Sequence, residues 1–231
     1  MMVRIGNFLF RYRNGLFPVF YILLFLPGRE VFADYRLALA IGLSLALLGQ
    51  FIRAATIGLA YIVRGGKDRH VYARDLVVEG IFAHCRNPLY VGNFFVLCGL
   101  GFAANSIWFF AVGLPLFAFA YAAIIAAEEN YLRGRFNAEY DDYCARVNRF
   151  LPRLKGLGAT LQSMEFHWGR LLVKEYGSAY AWMAGMLLLM LKNLWNEPRP
   201  IIWTIEGLLV LLTLGYACAR YLKKAKIVVA D

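Results

Sequence analysis

The sequence is poor in charge for its length, since only 17% of its 231 residues are charged while 61% are hydrophobic. That balance is too apolar for an ordinary soluble domain. The four cysteines are scattered without CxxC spacing and the three histidines form no ligand motif, so neither a disulfide framework nor a metal site is predicted. The sequence contains no GxGxxG turn and no GxxxxGK loop, which excludes the conventional glycine-rich nucleotide cradles.

Long apolar runs, several of them of membrane-spanning length, make up most of the sequence. A spanning helix needs about 20 mostly apolar residues, and six runs are candidates, of which the first and third are short. They cover residues 16–26, 37–63, 90–103, 107–127, 179–194 and 201–221. Turn-forming residues separate them, among them the glycine-containing stretch 64–69 and the pair Asn105-Ser106. The prediction is an all-α, polytopic bundle of about six transmembrane helices.

Lys and Arg are distributed unequally between alternate loops. If the N-terminus is cytoplasmic, the cytoplasmic segments carry twenty of them, whereas the opposite side carries three or four. Basic residues concentrate in the cytoplasmic loops of membrane proteins. Both termini are therefore predicted to be cytoplasmic, in the inner membrane if the protein is bacterial. The net charge of +10 then belongs to loops that face anionic lipid, and no nucleic-acid partner is predicted.

Two polar segments interrupt the apolar chain on the predicted cytoplasmic side. The first, residues 80–92, contains Arg86-Asn87-Pro88, and the second runs from Glu128-Glu129 to Leu151-Pro152. Such groups are costly at a membrane boundary unless they are paired or bind something. Carboxylates accept from amino groups, arginine holds a carboxylate with two parallel bonds, and aromatic faces stabilise a sulfonium. One site for a zwitterionic or cationic ligand is predicted, although the two glutamates alone equally suit the start of a solvated helix.

Two helical stripes follow the paired glutamates. The first predicts two short helices that meet near Asn137, because asparagine tolerates positive φ. The second predicts an amphipathic helix on the membrane surface within residues 156–177, with a solvated linker helix as the alternative. The first stripe consists of Leu132, Phe136, Tyr140, Tyr143 and Val147, and the second of Leu161, Met164, Trp168, Leu171 and Leu172.

The order and spacing of the polar residues carry a family resemblance. The first segment reads Gly80-x-Phe82-x-x-x-Arg86-Asn87-Pro88-x-Tyr90-x-Gly92, and the second reads Glu128-Glu129-x-x-Leu132-x-x-x-Phe136-x-x-x-Tyr140-x-x-Tyr143-x-x-x-Val147-x-Arg149-x-x-Pro152. Together they resemble the two signatures of integral-membrane methyltransferases, the isoprenylcysteine carboxyl methyltransferase and phospholipid methyltransferase group, over roughly residues 45–155. Three asparagines depart from the pattern, where histidine, glycine and proline respectively are usual: Asn87, Asn137 and Asn148.

The resemblance implies an S-adenosylmethionine-dependent enzyme whose cofactor lies between the ends of the spans and the second polar segment. It places Arg149 at the reacting end, and Glu129 is the nearest base for an amine acceptor, so these two are the predicted catalytic residues. The implied cofactor contacts are Arg86, Asn87, Pro88, Tyr90, Glu128, Glu129, Tyr140, Tyr143, Leu151 and Pro152.

Three further residues have two interpretations each. His84 suits either packing or contact with the acceptor. Arg53, about ten residues inside the second span, either pairs with Gln50 or reaches a carboxylate of the site and contacts the acceptor. Cys85, beside an arginine, is either a low-pKa thiol or an inert buried cysteine.

The implied acceptor is a lipid-like amphiphile that enters from the bilayer, either a phospholipid amine or an isoprenoid or prenyl carboxylate. The alternatives are an NADPH-dependent membrane reductase of related fold and a non-catalytic membrane scaffold that retains the fold. Four regions are predicted: 1–36, the N-terminal segment and first span; 37–155, the methyltransferase-like core; 156–177, the interfacial helix; and 178–231, a C-terminal hairpin with a basic tail. The last region is also the predicted contact of a homodimer.

Overall fold

The computed structural model describes residues 1–59, 64–67 and 70–229, and within that part the chain is almost entirely helical. A π-helical turn, Phe109–Gly113, leads into the fourth helix, and short 3₁₀ helices occupy Ile22–Phe25 and Gly80–Ala83. The α-helices are α1 (Met2–Tyr21), α2 (Tyr35–Leu59), α3 (Pro88–Ala104), α4 (Leu114–Phe136), α5 (Ala138–Arg146), α6 (Leu157–Ser163), α7 (Trp168–Asn193) and α8 (Arg199–Lys224).

One small element departs from the predicted all-α fold. Strands β1 (Arg64–Lys67) and β2 (His70–Ala73) pair antiparallel, with Arg64 opposite Ala73. The hairpin stands where a polar turn was predicted, and glycines at positions 65 and 66 explain why helix α2 does not continue there. Residues 68–69 of the predicted turn and residues 60–63 of the second apolar run lie outside the described residues.

Three of the described helices are long and apolar enough to cross a membrane: Tyr35–Leu59, Phe109–Phe136 and Arg199–Lys224. They contain most of the second, fourth and sixth predicted runs. The third run falls on α3, which is apolar but shorter, at 17 residues. The first and fifth runs fall on α1 with its 3₁₀ extension and on α7, both of which carry several charged residues. Length and composition therefore establish a helical membrane protein with three clear spans, half the predicted number.

Contacts between the helices bring the start of α1, the end of α8 and the described parts of the two longest connecting segments, residues 60–87 and 137–167, to one end of the bundle, here called the polar end. Gly6 near the start of α1 packs against Ala123 of α4. The backbone N–H of His167 donates to the carbonyl oxygen of Gly58, near the end of α2, at 2.9 Å. Lys223 at the end of α8 donates to the carbonyl oxygen of Val173 at 3.1 Å.

The remaining turns meet at the opposite end. The side chain of Asn105 accepts from the backbone N–H of Phe32 at 2.9 Å, and the amide of Asn193 donates to the carbonyl oxygen of Ala103 at 3.2 Å. Asn105 itself has φ 49°, which closes the predicted turn between α3 and α4. The six helices α1, α2, α3, α4, α7 and α8 thus run between the same two ends.

Helices α2 and α3 approach closely through glycines seven residues apart. A Cβ added to Gly49 would lie 2.5 Å from the carbonyl oxygen of Gly92, and one added to Gly99 would lie 2.5 Å from that of Gly42. Small residues permit such backbone contact between membrane helices. The contact fixes the start of α3, which is the part of the helix that carries the first polar segment.

The predicted break at Asn137 is confirmed, because this residue has φ 47° and separates α4 from α5. The first of the two helices is not a short one, however, since α4 continues from the span as far as Phe136. Four residues of the first stripe, Leu132, Tyr140, Tyr143 and Val147, are buried and pack with Ala73 of the hairpin, while Phe136 is half-buried beside them.

The single helix predicted for the second stripe is wrong. The stripe is divided between α6 and α7 by the non-helical residues 164–167, and α7 continues into the fifth predicted span. Gly156, with φ 82°, precedes α6 at the predicted break. Helices α7 and α8 form the predicted C-terminal hairpin, and α8 packs chiefly on α7. The position of residues 156–177 at a membrane surface and the homodimer contact stay predictions.

Candidate functional site

The structure brings the two polar segments together at the polar end of the bundle. The backbone N–H of Arg86 donates to the carbonyl oxygen of Asn148 at 3.0 Å, and that of Arg153 donates to the carbonyl oxygen of His84, also at 3.0 Å. The hydroxyl of Tyr143 donates to the carbonyl oxygen of Phe82 at 2.8 Å. The segments therefore form two walls of one region, held mainly by backbone bonds.

A buried carboxylate lies at the centre of this region. Glu129 of α4 accepts from Nε of Arg149 at 2.9 Å and also from its Nη2, so that the two side chains form a bidentate pair. Arg86 approaches the same carboxylate from the first segment, with Nη2 at 3.7 Å from Oε1. The carboxylate side chain is 7% exposed, whereas that of Arg149 is 48% exposed. Two guanidinium groups thus converge on one carboxylate, and one of them faces solvent.

Arg86 has hydrogen-bonding capacity that the described residues do not use. Its Nη1 contacts the sulfur of Cys144, while its Nε is buried without a hydrogen-bond partner among the described residues. A buried unsatisfied donor of this kind is costly. Arg86 therefore has a donor left over beyond its ion pair with Glu129.

Glu128 has the hydroxyl of Tyr90 as its partner, at 2.9 Å from Oε1. Both glutamates are buried within α4, which excludes the alternative that they begin a solvated helix. Pro88 is the first residue of α3, and the buried Asn87 before it donates to the carbonyl oxygen of Arg149 at 3.2 Å.

The other predicted cofactor contacts lie further from this centre. Tyr140 and Tyr143 are buried in the packed cluster beneath the site, with ring centroids 6.1 Å apart. Leu151 is 75% exposed and Pro152 is exposed, on the segment that follows Arg149. The structure therefore brings Arg86, Asn87, Tyr90, Glu128 and Glu129 together. Tyr140 and Tyr143 lie behind these five residues, and Leu151 and Pro152 lie at the exposed edge of the site. That these residues bind a cofactor stays a prediction.

His84 and Cys85 have packing roles in this structure. The imidazole Nδ1 lies 2.6 Å from the carbonyl oxygen of Arg153 and Nε2 lies 2.9 Å from the hydroxyl of Thr160, so the protein uses both ring nitrogens. The buried thiol of Cys85 lies 3.4 Å from the carbonyl oxygen of Phe150. Burial raises the pKa of the Cys85 thiol despite the nearby Arg86, which favours the inert cysteine over the reactive one.

Arg53 pairs with a residue that sequence reasoning missed. Its Nε and Nη2 donate to the two carboxylate oxygens of Glu175 in α7, both at 2.6 Å. Its Nη1 contacts the side-chain oxygen of Asn93, and Gln50 donates to the same glutamate at 3.2 Å. Arg53 therefore reaches a carboxylate, as one alternative held, but that carboxylate belongs to the C-terminal hairpin. Among the described residues no group of three or more His, Cys, Asp and Glu side chains is placed to hold a metal.

These features define a class of protein: a helical membrane bundle with one polar, ion-paired site where the spans end. Comparison with known families then identifies it. The model of the phospholipid methyltransferase family matches residues 37–139, which contain most of α2, all of α3 and α4, and Glu128 and Glu129. The chain belongs to this integral-membrane methyltransferase group, which also includes isoprenylcysteine carboxyl methyltransferase. Arg149 and Glu175 lie beyond the matched residues.

Curated relatives fall into two sets. The chain is 33% identical over 156 residues to the nickel-cobalt-cadmium resistance protein NccN of Alcaligenes xylosoxydans xylosoxydans, covering 65% of this chain and 69% of that protein. It is 32% identical over 157 residues to the cobalt-zinc-cadmium resistance protein CzcN of Cupriavidus metallidurans, covering 65% and 68%. It is 33% identical over 129 residues to mouse protein-S-isoprenylcysteine O-methyltransferase, covering 53% of this chain and 44% of that enzyme. No solved structure matches the chain.

Proposed function

We propose that this protein transfers a methyl group from S-adenosylmethionine to a lipid-like acceptor. The observation that carries the proposal is the arrangement around Glu129, a buried carboxylate approached by Arg149 and Arg86 within a methyltransferase family. The acceptor is a phospholipid amine or an isoprenoid or prenyl carboxylate.

The residues present fit the proposed cofactor. S-adenosylmethionine carries an amino group, a carboxylate, a sulfonium and ribose hydroxyls, and it supplies an already activated methyl group. The unused Nε of Arg86 suits its carboxylate, while Glu128 and Glu129 suit its amino or hydroxyl groups. The ring of Tyr90, next to Glu128, offers an aromatic face to a cation.

The protein's own contribution is to position the reactants and exclude water. Arg149 holds Glu129 while remaining half-exposed, so this pair can rearrange when a ligand arrives. Asn87 and Cys85 hold the backbone around Arg149 and Phe150 from the first segment. Orientation of this kind contributes roughly 7–11 kcal/mol to the reaction in the best cases.

We also propose how the helices are oriented in the membrane. All six helices that run between the two ends would cross the bilayer, with the polar end and both termini in the cytoplasm. Two observations support it: the helix contacts bring the start of α1, the end of α8 and the two long connecting segments to the polar end, and those regions together carry most of the basic residues. A lipid acceptor would then enter from the inner leaflet.

Calorimetry on the full-length protein purified in detergent tests the cofactor. We expect S-adenosylhomocysteine to bind and NADPH not to bind. Replacing Glu129 by Gln should abolish the binding heat, while Glu139→Gln, at an exposed position of α5, should leave it unchanged. Binding of NADPH alone would favour the reductase.

Methyl labelling tests the reaction itself. Membranes that contain the protein, supplied with labelled S-adenosylmethionine, should incorporate label into the lipid extract, and mass spectrometry should identify the product. Labelling that is equal with wild type and Glu129→Gln would show that this protein is not the methyltransferase responsible and would favour a scaffold.

A further inference from the structure

A second polar group of side chains lies deeper in the bundle than the site around Glu129. Arg53 is six residues before the end of α2, and its guanidinium group contacts Asn93 of α3, with Tyr21 of α1 and Tyr121 of α4 further off. Both tyrosines lie within electrostatic reach of the guanidinium group. These four residues are called the donor cluster. Ionisable groups at such depth are costly and usually serve binding or transport.

The cluster has hydrogen-bond donors left over. Neither tyrosine hydroxyl makes a hydrogen bond to another described residue. Arginine carries five N–H donors, of which the described contacts of Arg53 account for three. The side-chain oxygen of Asn93 accepts from Arg53, and its amide nitrogen has no partner among the described residues. Unpaired polar groups at this depth destabilise the protein unless a ligand or water forms hydrogen bonds with them.

The carboxylate acceptors, by contrast, are already engaged, which leaves only the two tyrosine hydroxyl oxygens free to accept among the described side chains of the cluster. Both carboxylate oxygens of Glu175 are held by Arg53, and Gln50 adds a further bond to one of them. Glu128 accepts from Tyr90. An ammonium group that entered the cluster would meet a guanidinium and find both of these carboxylates occupied. A head group with accepting oxygen atoms would satisfy the unused donors.

The donor cluster is joined to the site by aromatic contacts. The ring of Tyr121 packs edge-on against that of Tyr90, with centroids 5.5 Å apart, and the hydroxyl of Tyr90 donates to Glu128. Tyr21 and Tyr121 both pack against Phe117, so apolar side chains adjoin the cluster on that side. A molecule with an apolar chain and an oxygen-bearing head would therefore meet apolar side chains and hydrogen-bond donors side by side next to the site.

We propose that the donor cluster of Tyr21, Arg53, Asn93 and Tyr121 binds the methyl acceptor through oxygen atoms of its head group and disfavours an ammonium there. This inference rests on the proposed function, because only a methyltransferase has a methyl acceptor. The preference of the cluster for oxygen-bearing head groups can be measured independently of that function. Glu175 is a positioning residue here, because it acts by holding Arg53.

Two amphiphiles that share one hydrocarbon chain test this preference. Equilibrium binding of labelled oleate and of labelled oleylamine would be measured on the full-length protein in maltoside detergent. We expect oleate to bind at least tenfold more tightly. Tyr21→Phe and Tyr121→Phe, which remove only the hydroxyls, should each weaken oleate binding by up to about tenfold, and the double variant should weaken it further. Tyr12→Phe, at an exposed position on the same helix as Tyr21, is the matched control.

The outcomes separate this inference from the proposed function. Equal binding of the two amphiphiles, or oleate binding that the double variant leaves unchanged, would overturn the role of the cluster. Calorimetry with S-adenosylhomocysteine on the same preparations should give the same affinity for wild type and double variant. If wild type fails to bind S-adenosylhomocysteine while oleate binding still depends on the two hydroxyls, the proposed function fails and the binding cluster stands.

Discussion

Two arginine–glutamate pairs of the same bidentate geometry occupy different environments in this molecule. In the pair at the polar end, Arg149 is 48% exposed and Glu129 7% exposed. In the pair within the bundle, Arg53 is 11% exposed and Glu175 3% exposed. The chemistry of the pairs is identical, so the difference between them is one of burial and of neighbours.

The neighbours decide what each pair can do. Gln50 and Asn93 surround the inner pair and join it to α2 and α3, and Trp182 of α7 donates to Gln50 at 2.6 Å. The outer pair has Arg86 as its neighbour and solvent on the Arg149 side. The inner pair therefore holds helices in place, whereas the outer pair can exchange one partner for a ligand. Removing a member of the inner pair should cost stability first, with acceptor binding lost together with Arg53, whereas removing a member of the outer pair should cost mainly turnover.

The largest effect is expected from breaking the inner pair. Arg53→Met leaves Glu175 buried without its counterion, which should lower the free energy of unfolding by about 3–5 kcal/mol. Thermal unfolding in detergent, followed by tryptophan fluorescence, measures the loss. The double variant Arg53→Met with Glu175→Met should recover most of the stability, because an apolar pair of similar volume removes both charges. A double variant as unstable as the single one would show that the charges themselves are needed to hold α7.

Neutralising the outer carboxylate should affect turnover instead. Glu129→Gln removes the charge that Arg149 and Arg86 share, and methyl transfer into lipid should fall about 100-fold to 1,000-fold, as when a preorganised electrostatic contact is lost. The melting temperature should change little, because Arg149 is half-exposed and exposed pairs stabilise weakly. The matched control is Glu139→Gln, on exposed α5. If Glu129→Gln lowered the melting temperature strongly and left turnover intact, the outer pair would be a structural pair like the inner one, and the proposed difference in role would be wrong.

The contrast between the pairs also shows what the sequence could reveal. The helices around Glu129, the break at Asn137 and the meeting of the two polar segments depend on local patterns, namely the apolar runs, a residue that accepts positive φ and a family spacing. Glu175 could not be assigned this way, because its contact with Arg53 joins residues 122 positions apart. Nothing near Glu175 in the sequence indicates which helix it faces.

The second stripe illustrates a pattern that tertiary contacts override. Leu161, Met164 and Trp168 have helical spacing, yet residues 164–167 are not helical. The backbone N–H of His167 donates to Gly58 on α2, and the ring of Phe166 packs against the same glycine, where a side chain would have no room. These contacts replace the helical bonds that local periodicity predicted.

The same conservative substitution at both arginines gives a smaller but sharper test. Lysine keeps the charge but cannot make the bidentate contact. Arg149→Lys should lower turnover about tenfold with little change in melting temperature. Arg53→Lys should instead lower the melting temperature clearly, because its buried partner loses one of two bonds. If Arg149→Lys lowered the melting temperature as much as Arg53→Lys, burial would not be what distinguishes the two pairs.

The smallest expected effect concerns the thiol behind the outer pair. Cys85 packs against the carbonyl oxygens of Arg149 and Phe150, and burial raises the pKa of its thiol. It therefore keeps its proton at pH values where an exposed cysteine has begun to lose it, and alkylation by iodoacetamide should become appreciable only as the pH rises above the ordinary thiol range. Free glutathione, whose thiol lies in water, is the reference and should react first. Glu129→Gln frees Arg149 from its partner and should speed alkylation of Cys85 a few-fold at fixed pH, as mass spectrometry of the labelled peptides would show. Unchanged labelling would mean that backbone bonds to the first polar segment are enough to hold the segment around Arg149. Loss of the Arg149–Glu129 pair would then leave that segment in place.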